Sequence, residues 1–301
     1  MKKVVVLIII ISFLGGNASD RIHLTLFHGF IDPSLAAGLE KIVSDFNKEN
    51  PDITVTPVYY GTEDQLVNKI NLWSQSQNSP DMLVWNPQFL VNFFCQDYLA
   101  DLTDFWDLYL DENAFPDFIR ESHQWKNKFF AIPITINCLG LYVNTQLLPK
   151  GTNLDSLSIE NFLQLCNDIA AKGIHPIYIP YHNQEWTVWL WELFYWNLGG
   201  KLKLEADSNY TDSLALVKSF ELYKQIYDCT ISSTLNHNVN QSNFYQHFLQ
   251  GKSAMMIMGN WVLNDIRQHF DMDDLSVVPV PSKSKEMNSI TNIGGESISV
   301  F

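Results

Sequence analysis

The residues best equipped for chemistry lie between Tyr178 and Trp196. Tyr178, Tyr181, Trp186, Trp189, Trp191, Phe194, Tyr195 and Trp196 make eight aromatics in 19 residues, where the chain-wide 13% predicts two or three. His182, Asn183, Gln184 and Glu185 are interleaved with the first of these rings. Flat rings beside hydrogen-bonding groups suit a sugar, whose C–H faces stack on aromatics while its hydroxyls need paired donors and acceptors. A helix buried on all sides accounts for Trp191, Phe194 and Tyr195, so the ligand-facing part is expected at Tyr181 to Trp186.

Signatures of catalysis are absent. The chain has no HExxH, GxSxG or GxGxxG, the spacings that hold zinc, a serine nucleophile or a dinucleotide. Gly251-Lys252-Ser253 ends like a phosphate loop, but residue 246 is Gln where the first Gly belongs, so a tight helix-to-strand turn is expected. The eight histidines show no metal-ligand spacing. Tyr59-Tyr60 hints at an iron ligand, but neighbouring strand residues point to opposite faces. Asp and Glu are plentiful, yet no pair stands out as the acid and base of a glycosidase. No catalytic residue, metal or cofactor is assigned, and a non-enzyme is expected.

Composition narrows the class further. The 301 residues are 46% apolar and 17% charged, with 14 Gly and 12 Pro, which excludes collagen-like, low-complexity and disordered chains. The formal charge is 19 − 33 = −14, with no basic run beyond Lys2-Lys3, so electrostatics oppose a nucleic-acid partner. Lys2-Lys3, the apolar run Val4 to Leu14 and the small residues Gly15, Gly16 and Ala18 read as a signal peptide cut near Ala18. Secretion to the periplasm is expected, and no Cys near the cut marks a lipoprotein. Cys95, Cys138, Cys166 and Cys229 are widely separated and form no CxxC. Two disulfides and buried free thiols both remain open.

Alternating strands and helices must position these groups. Ile22 to Phe27 and Ile53 to Val58 alternate as strands, and Met82 to Trp85 is a short apolar one. Between them, Asp32-Pro33 caps a helix through Leu35, Leu39, Ile42 and Phe46 that Asn50-Pro51 stops. Thr62 and Gln65 form a capping box ahead of Leu66, Ile70 and Trp73. This β-α-β-α-β order predicts a largely parallel sheet that binds ligand beyond its strand ends, at His28-Gly29-Phe30, Tyr59-Tyr60-Gly61 and Trp85-Asn86. A second unit starts after Phe130, with Ile132-Pro133-Ile134 as a crossover. It continues with a strand at Leu139 to Val143, a helix capped by Ser158 and ended by Gly173, and a strand at Ile177 to Ile179. Helical stretches at Leu214 to Ile226 and Phe244 to Leu249 precede strands at Ala254 to Met258 and Val277 to Val280.

Five segments in this order carry a family resemblance. They are Leu24 to Phe30 with the following helix and Phe46 to Val55; Ser79 to Trp85; Phe130 to Asn144; Phe248 to Trp261; and Val278 to Pro281 leading to Gly294-Gly295-Glu296. The chain resembles the extracellular solute-binding proteins of ABC importers, the family that includes the maltose-binding protein. The resemblance implies an α/β, two-lobed periplasmic-binding-protein-like fold with crossover hinge strands and a sugar held in the cleft. Residues 19–131 and 277–301 would form lobe 1 and residues 132–276 lobe 2, behind a 1–18 signal peptide. The implied partners are a sugar ligand and the membrane subunits of an ABC permease, and the chain would be a monomer. The implied ligand contacts are His28, Phe30, Trp85, Asn86, Gln88, Asn137, Glu185, Trp186, Trp261, Gly295 and Glu296. Relatives often have a charged residue where this chain has Asn137, which implies a different pairing of hydroxyls.

Each contact has a plainer reading. Trp85 and Trp261 fit a core, Phe30 fits the space beneath the first helix, and His28 fits a bond to a backbone carbonyl. Asn137 fits a backbone bond at the hinge, and Glu296 an exposed turn. Relatives also carry further C-terminal helices, so an incomplete lobe 2 that exposes apolar surface and aggregates is expected. A secreted carbohydrate-active enzyme and a binder of peptide or iron are the competing functions.

Overall fold

A computed structural model describes residues 21–301 apart from 31–32, 62–65, 67–68, 70–71, 74–78, 112–113, 156, 181–184, 206–207, 231–240 and 285–287. The leader, the Asp32 cap, the Thr62 and Gln65 box, Ile70 and Tyr181 to Gln184 lie outside the described residues.

In chain order the first elements are β1 (Ile22–His28), α1 (Pro33–Glu49), β2 (Ile53–Tyr59), β3 (Met82–Trp85), α2 (Pro87–Phe94), α3 (Thr103–Tyr109), α4 (Asp117–Ser122), β4 (Gln124–Trp125), β5 (Lys128–Phe129) and β6 (Ile132–Pro133). Then come β7 (Asn137–Asn144), α5 (Ile159–Ala170), β8 (His175–Ile177), α6 (Glu185–Asn197), β9 (Leu202–Glu205), β10 (Ser208–Thr211), α7 (Ser213–Thr230) and α8 (Gln241–Leu249). The last are β11 (Ser253–Gly259), α9 (Leu263–His269), β12 (Leu275–Val278), β13 (Ile293–Gly294) and β14 (Ser297–Val300). Among the described residues no helix is long and apolar enough to cross a membrane.

The elements fall into two compact units. The first comprises the chain up to Ile136 together with Gly294–Phe301, and the second Asn137–Ile293. Both chain passages lie beyond the expected ones. Residues 132–136 stay with the first unit because β6 pairs with β14 there. Val277 stays with the second because β12 pairs antiparallel with β7. An alternating pattern marks a strand but not its partner, which is why the boundaries read at 132 and 277 differ from these.

The first unit's sheet runs β2-β1-β3-β14-β6. The expected parallel core is present, with β1 between β2 and β3, but β14 runs antiparallel to both β3 and β6, so the sheet is mixed. Pro57 and Pro133 lie on the two edge strands, where a missing N–H costs no ladder bond. Asp81 fixes the register of β1 to β3, its carboxylate accepting from the Thr25 N–H at 2.7 Å and the Thr25 hydroxyl at 3.0 Å. On α1 the buried face is Leu39, Val43 and Phe46, whereas Leu35 and Ile42 are exposed. The stripe read from the sequence is therefore rotated toward Val43.

The second unit's sheet runs β12-β7-β11-β8, with all seven residues of β11 buried. Its core draws Phe162, Leu165, Cys166 and Ile169 from α5 and Leu222 and Ile226 from α7. Ser158 caps α5 as expected, accepting from the Asn161 N–H at 3.2 Å. Gly251, at φ +66°, makes the turn from α8 into β11. Its N–H donates to the Phe248 carbonyl and that of Lys252 to His247, so this is a helix terminus and not a phosphate loop.

Candidate functional site

The carboxyl ends of the first unit's parallel strands bring His28, Phe30 and Tyr59 together, and Asn86 follows the end of β3. His28 pairs in register with Tyr59 on one side and Val84 on the other. Its ring lies 5.6 Å from that of Phe30 and 6.0 Å from that of Tyr59. The His28 Nδ1 accepts from the Phe30 N–H at 3.3 Å, so the ring caps a backbone N–H and not a carbonyl. This fixes Nε2 as the nitrogen that carries hydrogen and is left for a ligand. Burial pulls the His28 pKa below its ordinary value, with Glu40 opposing weakly. Phe30 is half-buried against the core. Tyr59 is half-exposed while Tyr60 is buried, the opposite faces expected of neighbouring strand residues.

Asn86 stands at the N-cap of α2, yet its side chain makes no cap bond. Its carbonyl instead receives the Phe89 and Leu90 N–H groups, leaving the amide to other partners. Gln88, in the first turn of the same helix, is exposed.

Trp85 is a correction. It is 1% exposed, stacked on Phe89 with ring centroids 4.5 Å apart and next to Phe93 at 6.0 Å. A strand whose four residues are all buried has no ligand face, so Trp85 is core and offers no platform. Its Nε1 is buried and lacks a hydrogen-bond partner.

The second unit assembles a tryptophan cluster. Trp186 and Trp189 project from α6, and Trp261 follows the end of β11. The Trp186 ring meets Trp261 edge-to-face at 6.1 Å and Trp189 at 5.8 Å. Trp261 rests against Gly259, where an added Cβ would stand 1.7 Å from one ring carbon and 2.2 Å from each flanking one. The flanking distances are those of a point directly above the ring carbon, since a point beyond the ring edge would stand farther from both neighbours, so the glycine faces the flat of the indole. Gly259 is held by its pairing with Leu139 and by the Tyr142 hydroxyl, which donates to its carbonyl at 3.1 Å. Burial pushes the Tyr142 phenol up to about 12, so it stays a donor across the ordinary pH range. The sequence reading missed Gly259 and Tyr142, although the Gly-Asn-Trp spacing was visible. Trp186 is 9% exposed, so it supports the cluster from below, and Glu185 is exposed beside it.

Asn137 opens β7, half-buried, two residues before the Leu139 that pairs with Gly259. Glu192, one turn beyond Trp189, was not foreseen. Burial raises its carboxyl pKa, and the Asn292 amide donates to it at 3.4 Å.

Gly295 and Glu296 fasten backbone to backbone. Gly295 has φ +138°, and a Cβ there would lie 2.1 Å from the Thr135 carbonyl oxygen. The Glu296 carbonyl accepts from the Ile134 and Thr135 N–H groups, and its N–H donates to the Thr135 hydroxyl at 2.8 Å. The buried Gly295 is thus a structural glycine. Among the described residues no three His, Cys, Asp or Glu side chains converge as metal ligands.

A family model described as bacterial extracellular solute-binding protein matches residues 41–301. No curated protein matches the chain. Among solved structures, the GacH receptor of Streptomyces glaucescens, described unliganded and with acarbose, aligns at TM-score 0.78 and 23% identity over 93% of this chain and 71% of its own. A solute-binding protein from Thermotoga lettingae bound with α-D-tagatose gives 0.78 and 18%, over 93% and 72%. Maltose-bound MalE3 of T. maritima gives 0.78 and 19%, over 93% and 72%. At these identities the likeness concerns the fold.

Proposed function

As the chain belongs to the bacterial extracellular solute-binding protein family, a family of binding receptors that deliver ligand to an ABC permease rather than transform it, we propose that its own ligand is a sugar or oligosaccharide. The observation that carries this reading is the second unit's tryptophan cluster. Gly259 covers one face of Trp261, Trp186 stands nearly perpendicular to it with ring centroids 6.1 Å apart, and the indole stays partly exposed, so the exposed part of the ring is offered to the C–H face of a pyranose. The solved relatives named above have acarbose, tagatose and maltose as ligands, which supports a saccharide.

Beside the tryptophan cluster, the polar groups the second unit offers to hydroxyls are Asn137, Glu185 and Glu192; taken by itself, the first unit offers His28 Nε2, Asn86 and Gln88 at its strand ends. Neutral His28, held so by burial, donates from Nε2. The amides supply both donors and acceptors, which suits hydroxyls that are both at once. The receptor acts outside the cytoplasm, in the periplasm in our reading. The test is thermal unfolding with mono- and oligosaccharides, polyols, peptides and ferric iron. A saccharide should raise the midpoint in a concentration-dependent way. A rise with peptide or iron alone would overturn the proposal.

A further inference from the structure

We propose that Cys166 and Cys229 are a disulfide-forming pair that ties α5 to the last turn of α7. On α5, Phe162, Cys166 and Ile169 share one buried face at helical spacing. On α7, Leu222 and Ile226 enter the same core, and Cys229 continues that stripe three residues on, half-buried against it. The Cys229 thiol donates to the Asn167 side-chain carbonyl at 3.1 Å, and Asn167 is the chain neighbour of Cys166. The sulfurs are also close enough for ionised Cys229 to raise the Cys166 thiol beyond what burial does. Cys95 lies in the first unit and Cys138 is the second residue of β7, both exposed. Four cysteines allow three full pairings, and this geometry selects one bond.

The oxidant is a small or protein disulfide of the kind an extracytoplasmic compartment supplies, such as glutathione disulfide. Cys229 is the more accessible of the two. As its thiolate it attacks the oxidant's disulfide, forming a mixed disulfide and releasing one thiolate. Cys166 then loses its proton and displaces the second thiolate, closing the protein S–S bond. The two thiols give up two protons and two electrons, and the oxidant leaves as two thiols. Cys229 exchanges its bond to Asn167 for the new one. It can do so because the end of a helix, with carbonyls that have no intrahelical partner, adjusts at low cost.

The test is peptide mapping of the folded full chain after incubation with glutathione disulfide, alkylation in denaturant and digestion without reductant. The expected result is one cross-linked peptide pair joining Cys166 to Cys229, with Cys95 and Cys138 alkylated or glutathionylated. A Cys95→Ser, Cys138→Ser chain should lose two hydrogens in mass and unfold at a higher midpoint oxidised than reduced. Recovery of Cys166 alkylated with Cys229 carrying glutathione, a link to Cys95 or Cys138, or no link at all would overturn the proposal. The wild-type map decides even if the double variant folds poorly.

Discussion

Trp261 lies face-on against Gly259, with no room between ring and backbone for a single methyl group. The glycine's own dihedrals, φ −88° and ψ 172°, are open to any residue. The side chain is excluded by the indole alone.

Gly259→Ala should therefore leave the backbone intact and push the indole out of place. Saccharide affinity should fall about 5- to 150-fold, the range for losing about 1–3 kcal/mol of stacking and burial. Near-ultraviolet circular dichroism should change with it, because the edge-to-face contact with Trp186 is disturbed. Titration of wild type, Gly259→Ala and Trp261→Ala with one saccharide checks this. Unchanged affinity and dichroism in Gly259→Ala would count against a held ring.

Trp85→Ala should cost about 3–5 kcal/mol of folding stability, the usual price of emptying a large aromatic site. Trp85→Phe should cost less, because it keeps the stack on Phe89. Urea unfolding reads the loss. Saccharide affinity of the folded fraction should stay near wild type, and a selective loss of affinity would return Trp85 to the site.

His123 predicts the pH response of the first unit. Burial holds its pKa below 6.5, with a backbone bond from Ile119 opposing. Its Nδ1 lies 2.6 Å from the Ile119 carbonyl and its Nε2 2.7 Å from the Ser297 hydroxyl. The first contact makes Nδ1 the protonated nitrogen, and Ser297 donates to Nε2. The unfolded chain binds the proton first, so stability is full above about pH 6.5 and is lost as pH falls below it. His28, also held low by burial, adds to the same slope, and His247, held low in the same way, gives the second unit a slope of the same sign. Melting midpoints should drop from about pH 7 to pH 5, and His123→Gln should flatten part of that drop. A slope unchanged in the variant would locate the titration elsewhere.

Gly295→Ala should destabilise by at least about 1–3 kcal/mol, the cost of a side chain at such a backbone conformation. The overlap with the Thr135 carbonyl adds to it. Denaturant unfolding beside Gly151→Ala, at φ +80° with open space around it, separates dihedral strain from overlap. Equal losses at both positions would show that the overlap relaxes freely.

The sequence made most of the sheet strands and the longer helices legible, because β1, β2, α5 and β11 carry clean apolar patterns. It hid what depends on partners. The hairpin β9–β10 went unread although Leu202 and Leu204 alternate with Lys203 and Glu205, because four residues are too few to mark a strand and β10 is polar, and nothing in Leu275 to Val278 says that β7 is its neighbour. The aromatic density of α6 drew attention to Trp186. The same reasoning misplaced Trp85, since a ring at a strand end reads alike whether it faces ligand or core. Gly259 went unseen because its role exists only once Trp261 is folded over it.

The position of β14 also sets an order of events during synthesis. It lies between β3 and β6 and, among the described residues, is the only sheet neighbour of β6, yet it follows the whole of the second unit in the chain. A chain that emerges N-terminus first on the far side of the membrane can join β1, β2 and β3 early, but the edges of β3 and β6 stay unpaired until Ser297–Val300 has emerged. The second unit, contiguous in sequence, can fold during that wait, with domains emerging at about 5–20 residues per second. The open edges are where a chaperone, or another nascent copy, would bind first.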